Sequence, residues 1–413
     1  MQSNADLLRI ENPEPLQELY ALRPFDSLLL SFCADTPPGS SIEVQARVRR
    51  TDGTFTGWFS FGVWSPFCDR HSVSGEDALA SMDTDTLRMK NGMRADTVQL
   101  RILPTPAPSG EMPRVRSVTL SCRDRARPKA ESPAPHADVC AQAPCYSQMV
   151  REPSIGHVIC SATTIAMQLN ALGESVLPEE IALHNYDSAY QGCGNWAFSA
   201  AIAASYGYEA CARYATLDEV EEEIAAGRPV GVSVHYTNDP ANEKLPYLAG
   251  SPCTTNGHLM LLCGFTTDAE GQRFAIVHDP AAPENASVRR LYPLEQFLAA
   301  WNGRVCYFVR RSQEKSARFV PERVSARLLP LGGDAYALEV EGERIPLAAS
   351  EGFPRTVAAY VTQVHGEKEA DCDFAYGSIA QDGTIRLPGY AGQRAFVVTD
   401  RGPTYVVDGG TCA

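Results

Sequence analysis

From about Asp26 to Cys122 apolar and polar residues alternate along the chain. Ile42, Val44, Ala46 and Val48 interleave with Glu43, Gln45, Arg47 and Arg49. Val98, Leu100 and Ile102 do so with Gln99 and Arg101, and Val118, Leu120 and Cys122 with Thr119 and Ser121. A period of two belongs to strands with one buried face. Asp52-Gly53 supplies a hairpin turn. Few helical runs intervene, so this region predicts an antiparallel β-sandwich of roughly jelly-roll size. The pattern lapses from Arg123 to Pro144, where Pro128, Pro133, Pro135 and Pro144 mark a linker.

The period then changes. In Cys160-Ser-Ala-Thr-Thr-Ile-Ala-Met-Gln-Leu-Asn-Ala-Leu172 apolar residues recur at Ala162, Ile165, Ala166, Leu169 and Leu172, the face of a helix, with Gly173 placed to stop it. Pro178 with Glu179 and Glu180 starts a second helix. Asn195 caps a third, Trp196–Tyr206, and Thr216 with Glu219 forms a capping box for a fourth that Gly227 ends. Strands follow at Val230–His235, His258–Phe265, Phe274–His278 and Val305–Arg310, with a short helix over Pro293–Trp301. Helices first and strands later predict an α+β domain. Beyond about Ser316 short strands return, at Tyr336–Val340, Val357–Val364, Ile385–Leu387 and Phe396–Thr399. The expected organisation is a multidomain chain: a sandwich over 1–122, a linker over 123–143, an α+β domain over 144–313 and a small all-β domain over 314–413.

Length and charge narrow the function. A chain of 413 residues exceeds one core. A net charge of −14 with no basic cluster excludes nucleic acid as the expected partner, because phosphate binding needs a basic face. No apolar run approaches the roughly 20 residues that span a bilayer. The 13 cysteines are odd in number and contain no C-x-x-C pair, so neither a zinc ribbon nor a complete disulfide framework is expected. No metal or cofactor is implied. Met1 to Pro13 lacks the charged-then-apolar pattern of a signal. The expectation is a cytoplasmic protein, or a secreted one whose leader has been removed.

Four features bear on chemistry. Trp58, Phe59, Phe61 and Trp64 could form a platform for a glycan or cell-wall ligand, although such residues are more often core. Asp83-x-Asp85 hints at calcium but lacks the rest of a binding loop, and reads as solvated. Cys160 falls where a helix begins, and unpaired N–H groups there favour a thiolate. His258, after Asn256-Gly257, opens a buried strand run. Asp279 ends the next strand, so a hairpin would set its carboxylate beside the imidazole. Gln148 could offer an amide to an oxyanion. Each has a bland alternative: a buried structural thiol, a satisfied core histidine, a turn before Pro280. The order Gln148, Cys160, His258, Asp279, each at an element boundary, is what points to a thiol hydrolase.

At this point the sequence resembles the C39-like peptidases, papain-like cysteine hydrolases. The matching pieces are Tyr146-Ser-Gln148, Cys160-Ser-Ala-Thr-Thr, Gly194-Asn-Trp196, Ala226-Gly-Arg-Pro-Val230, Gly257-His258-Leu, Gly264-Phe265, His278-Asp-Pro-Ala-Ala282 and Val288-Arg-Arg-Leu-Tyr292. The N-terminal sandwich resembles the domain preceding the peptidase in some bacterial members. The resemblance implies Cys160 as nucleophile, His258 as general base and acid, Asp279 as orienting carboxylate and Gln148 as oxyanion donor. Asn195 and Trp196, in a matching piece, are candidate substrate contacts. A peptide or other amide is the implied substrate, with an acyltransferase or amidase, or an inactive binding protein, as alternatives. Many relatives carry Cys-Gly-Pro-Thr where this chain has Cys160-Ser161-Ala162-Thr163.

Overall fold

Two antiparallel sheets face one another at the start of the chain. A six-stranded sheet is built from Leu7–Glu11, Arg114–Arg123, Ser27–Asp35, Thr86–Met89, Ala80–Asp83 and Gly75–Glu76, in that spatial order. A four-stranded sheet orders Leu16–Phe25, Ala95–Thr105, Ser41–Arg50 and Phe59–Trp64. The computed structural model describes residues 6–127, 137–312, 317–349 and 352–409. The alternation seen in the sequence sets the two faces: Ile42, Val44, Ala46 and Val48 are buried, while the residues between them are partly exposed. Phe59, Phe61 and Trp64 are core, so three of the four candidate platform aromatics face inward. The fourth, Trp58, is covered by the guanidinium groups of Arg47 at 5.0 Å and Arg101 at 4.5 Å. Gly62, at φ +96°, lies against Phe198, where a side chain would collide with the ring.

Residues 128–136 of the proline-rich segment, with Pro128, Pro133 and Pro135, lie outside the described residues. The end of that segment is not a linker. Val139–Cys140 is a strand that pairs with Phe265 and Gly264 of Thr255–Thr267. A Cβ at Gly264 would strike the Val139 carbonyl, so the close approach requires glycine.

The sheet it joins has seven strands, ordered Tyr208–Tyr214, Val305–Arg311, Val230–Tyr236, Thr255–Thr267, Arg273–His278 and Arg289–Pro293, with Val139–Cys140 alongside. The helices are α1 (Cys160–Ala171), α2 (Pro178–Asn185), α3 (Trp196–Ser205), α4 (Leu217–Ala225) and α5 (Leu294–Ala300). Their starts follow the local chemistry: Pro178 leads α2, the Asn195 side chain accepts from Phe198 N at the head of α3, and Thr216 and Glu219 form the capping box of α4. The strands Tyr208–Tyr214 and Arg289–Pro293 have no strong pattern. Both are edge strands, and their sequences YEACARY and RRLYP mix polar with apolar residues.

An exposed sheet edge needs partners for its backbone. At Tyr208–Tyr214 the sandwich supplies them. Ser31 Oγ both accepts from Ala212 N at 3.0 Å and donates to Ala212 O at 3.2 Å, and Ser121 Oγ accepts from Tyr214 N at 3.0 Å. Ser31 and Ser121 are buried there; Ser121 is a polar position of an alternating strand, while Ser31 lies within the apolar run Leu28–Cys33. One hydrophobic cluster accordingly runs from the sandwich through α1 and α3.

The remaining residues form two small sheets. One orders Arg323–Ser325, Thr404–Val407, Ala395–Thr399, Thr356–Gln363 and Asp373–Tyr376; the other orders Arg327–Gly332, Ala335–Val340, Ile385–Arg386 and Ser378–Ile379, with Glu343–Arg344 pairing at Ala335–Val340. They dock on α2. Arg323 pairs with Glu180 at 2.7 Å, and the Tyr376 hydroxyl donates to Glu179 at 2.6 Å. Buried Arg70 of the sandwich donates to Leu183 O on α2, and also to Asp400 O at 3.3 Å. No helix among the described residues is long and apolar enough to cross a membrane.

Candidate active site

Almost every residue of α1 is buried, and Cys160 alone in its first turn keeps partial exposure. The helix is anchored from behind, where Gln168 Nε2 donates to Pro229 O at 3.1 Å and to Tyr307 O at 3.0 Å. Its N-cap, Ile159, offers no side-chain acceptor. First-turn N–H groups therefore point at the thiol without competition from a cap.

The strands Thr255–Thr267 and Arg273–His278 pair antiparallel, with Leu261 opposite His278. His258, three positions before Leu261, and Asp279, one after His278, therefore lie at the same end of the hairpin. His258 Nε2 is 2.8 Å from Asp279 Oδ1. Both are buried, at 5% and 0% exposure. Asp279 also accepts from Ala281 N at 3.0 Å and from the Tyr292 hydroxyl at 2.8 Å. With Nε2 committed to the carboxylate, Nδ1 is the ring nitrogen left for the hydrogen bond that joins His258 to the Cys160 thiol.

The electrostatics follow from this chain of contacts. Burial opposes charge on His258, but the Asp279 carboxylate and the Cys160 sulfur favour it, and its pKa rises from 6.5 to about 10. Burial likewise opposes the Cys160 thiolate. The His258 hydrogen bond and charge, with the N–H groups of Leu259 and Ser161, outweigh it and lower the thiol below its usual 9.0. Asp279 is lowered too, with His258, Tyr292 and Ala281 overcoming burial. Cys122, Cys263, Cys193 and Cys306 have no such partner, and burial pushes all of them up.

Gln148 is placed differently from its expected role. It begins a short 3₁₀ turn, is buried, and its Nε2 donates to Gly156 O at 2.7 Å, while its own N–H donates to Pro280 O at 2.8 Å. It is fastened to the loop that carries Asp279, and is not among the residues lining the cavity at Cys160. Asn195 does not reach that cavity either. It is fully buried, capping α3 and donating to Asp187 Oδ2 at 3.0 Å, so it lies beneath the wall and not in it. Trp196 does line the cavity. Of the other histidines, His157 lines the cavity with Cys160, whereas His278 contacts Pro144 O at 2.8 Å, His184 contacts Thr399 O at 2.9 Å and His235 contacts Asn302 at 3.2 Å.

The cavity encloses about 670 Å³. Cys160, His258 and Tyr190 line one part of it, and Asp83, Asp85 and Arg88 of the sandwich line another. The aspartates expected in a solvated loop thus form a wall, and Asp85 is only 7% exposed. Asp187 was also without a sequence signal. Its Oδ1 accepts from Ser72 N at 2.9 Å, Ala189 N at 3.0 Å and Tyr190 N at 3.1 Å, which fixes the loop bearing Tyr190 against the sandwich. No group of three or more metal-ligating side chains converges among the described residues.

Residues 141–308 match the Peptidase_C39 like family, and residues 17–122 match the Peptidase C39 N-terminal domain. No curated protein matches the chain. A crystal structure described as a C39-like peptidase from Bacillus anthracis is matched at 19% identity, over 43% of this chain and 100% of that one, with a TM-score of 0.30, too low a likeness to argue from. The chain thus carries a region similar to the Peptidase_C39 like family, preceded by one similar to the Peptidase C39 N-terminal domain.

Proposed function

We propose that the protein is a cysteine hydrolase of peptide or related amide bonds, with a papain-like constellation of Cys160, His258 and Asp279. The observation that carries this reading is the continuous chain of contacts from the thiol through His258 to a fully buried Asp279 at 2.8 Å. A thiol lowered by an adjacent imidazolium is a nucleophile at neutral pH. In this reading the Cys160 thiolate attacks the amide carbonyl carbon, and the electron pair of the C=O bond moves to oxygen. The Cys160 backbone N–H, in the first turn of α1, would receive that charge. His258 then gives its proton to the leaving amine as the C–N bond breaks, leaving an acyl thioester on Cys160. Water, deprotonated by His258, attacks the thioester carbonyl; the C–S bond breaks to release the acid and the Cys160 thiolate, and the proton from water remains on His258, restoring the starting pair.

Gln148 contributes as the second donor only if its remaining amide hydrogen reaches the oxyanion, since one is held by Gly156 O. The test is a peptide-library digestion by wild type, Cys160→Ala and His258→Ala, with mass spectrometry of the intact protein after rapid acid quench. Hydrolysis by wild type alone, with an acyl adduct mapped to Cys160, is the expected result. Turnover by Cys160→Ala equal to wild type would refute the reading. A product carrying an added amine in place of water would assign acyl transfer instead.

A further inference from the structure

The cavity at Cys160 is not made by the α+β region alone. The sandwich turn between the strands Ala80–Asp83 and Thr86–Met89 enters it. Thr84 takes φ +56° in that turn, and Asp85 N donates to Asp83 O at 2.7 Å, which folds the Asp85 side chain toward α3. There Asp85 Oδ2 accepts from Trp196 N, the first residue of α3, at 2.6 Å, and Oδ1 accepts from Thr86 Oγ1 at 3.0 Å.

Those contacts satisfy hydrogen bonding but not charge. A carboxylate more than nine-tenths buried is normally paired with a cation, because desolvation of an uncompensated charge is costly. Asp85 has no ion-pair partner among the described residues. The nearest arginine on its own hairpin, Arg88, is engaged with Asp83 at 3.6 Å. Burial accordingly pushes Asp85 up to about 7, against the pull of Trp196 N, Thr86 and Arg88. The N-terminus of α3, with one N–H aimed at Oδ2, favours the ionised form. A carboxyl that ionises near neutral pH is thus held at the wall of a cavity that also contains the nucleophile, with no counter-charge among the described residues, so a cation arriving there would favour its ionised form.

We propose that Asp85 of the sandwich forms a subsite for a cationic group of the substrate, an ammonium or guanidinium flanking the bond presented to Cys160. The proposal deepens the hydrolase reading by naming the class of substrate, and the subsite itself stands on the cavity and the unpaired carboxylate. It also gives the sandwich a role in selection. The competing account is that Asp85 only fastens the sandwich to α3.

Two measurements separate these. Peptide amides identical but for lysine or norleucine beside the scissile bond are compared by kcat/KM in wild type, Asp85→Asn and Asp85→Glu. The expected lysine preference is about tenfold in wild type, as for one charge pair at a partly buried site. It should collapse toward unity in Asp85→Asn and be retained in Asp85→Glu. The second measurement needs no turnover. Cys160 is labelled with 2-aminoethyl methanethiosulfonate, a cation, and with the neutral methyl methanethiosulfonate; in both, the thiolate forms a mixed disulfide and methanesulfinate leaves. The cation-to-neutral rate ratio should fall several-fold in Asp85→Asn. Should that variant unfold, protection of wild-type Cys160 from iodoacetamide by n-butylammonium but not by n-butanol is the expected substitute.

Hydrolysis with both ratios unchanged in Asp85→Asn overturns the subsite and leaves the hydrolase. Absent hydrolysis with a lowered labelling ratio overturns the hydrolase and leaves the subsite. Equal protection by the ammonium and the alcohol also counts against the subsite.

Discussion

The Tyr292 hydroxyl donates to Oδ2 of Asp279 at 2.8 Å, on the side of the carboxylate opposite His258. Tyr292 comes from the edge strand Arg289–Pro293, where it lies opposite Ala275. Burial and the neighbouring carboxylate both push the phenol up, so it stays a donor. With Ala281 N on Oδ1, the carboxylate plane is fixed from two directions. In the proposed reading, a rigid Asp279 fixes the imidazole so that it faces Cys160.

Tyr292→Phe should lower kcat/KM about ten- to a hundredfold, the loss of one hydrogen bond to a charged group being worth about 1.5–3 kcal/mol. Without that donor Asp279 titrates at a higher pH, so the acid-side fall of activity should move to higher pH. His258→Ala should abolish activity, and Asp279→Asn should leave a measurable remainder. Matching pH profiles for wild type and Tyr292→Phe would remove Tyr292 from the mechanism.

Cys160 should be the fastest thiol to alkylate. Brief iodoacetamide treatment at pH 6, read by mass spectrometry of peptides, ranks the cysteines directly. The thiolate of Cys160 is favoured by His258, while burial keeps Cys122, Cys263 and Cys306 protonated. Exposed Cys140 is the accessibility control. Faster labelling at Cys140 than at Cys160 would count against an activated thiol.

His258 makes a pH-dependent contribution to stability. Its folded pKa, raised to about 10, exceeds its unfolded value near 6.5. The charged imidazole therefore stabilises the fold fully below about pH 6.5, and that stabilisation is lost as pH rises toward about 10. The gap in thermal midpoint between wild type and His258→Ala should be wide at pH 6 and narrow at pH 10. A gap constant with pH would show that His258 is not charged by its partners.

Gln148→Ala separates two roles. If the second amide hydrogen serves the oxyanion, kcat falls about a hundredfold with KM little changed, and Cys160 labelling persists. If Gln148 only ties Gly156 O to the loop before α1, kcat stays within about threefold and stability falls by about 1–3 kcal/mol. Steady-state kinetics with chemical denaturation reads both. We expect the second outcome, because the side chain is buried, spends one hydrogen on Gly156 O and does not line the cavity at Cys160.

Trp64→Ala should cost about 3–5 kcal/mol, as for any large core aromatic. Trp64 is fully buried, with its ring centroid 5.2 Å from that of Phe198 on α3. Urea denaturation checks the magnitude. A loss below about 1 kcal/mol would contradict its place in the shared core.

What the sequence determined by itself is local. Alternation at Ile42–Val48 sets two faces of a strand, Asn195 and Thr216 begin helices, and Cys160 falls at a helix start, because each depends on neighbours within a few positions. The hairpin that carries His258 and Asp279 is nearly local too, spanning 21 residues between them. Tertiary structure decided the rest, where distant segments supply partners that no periodicity encodes. Ser121 looks solvent-facing by alternation and Ser31 is a lone polar residue in an apolar run, yet both satisfy the edge strand Tyr208–Tyr214. Tyr292 meets Asp279 only because a weakly patterned edge strand pairs beside Arg273–His278. Asp85 reads as a solvated loop residue and becomes buried because α3 presents an unpaired N–H to it across 111 positions. Burial and charge compensation are properties of the packed whole, and they decided which polar residues face the cavity.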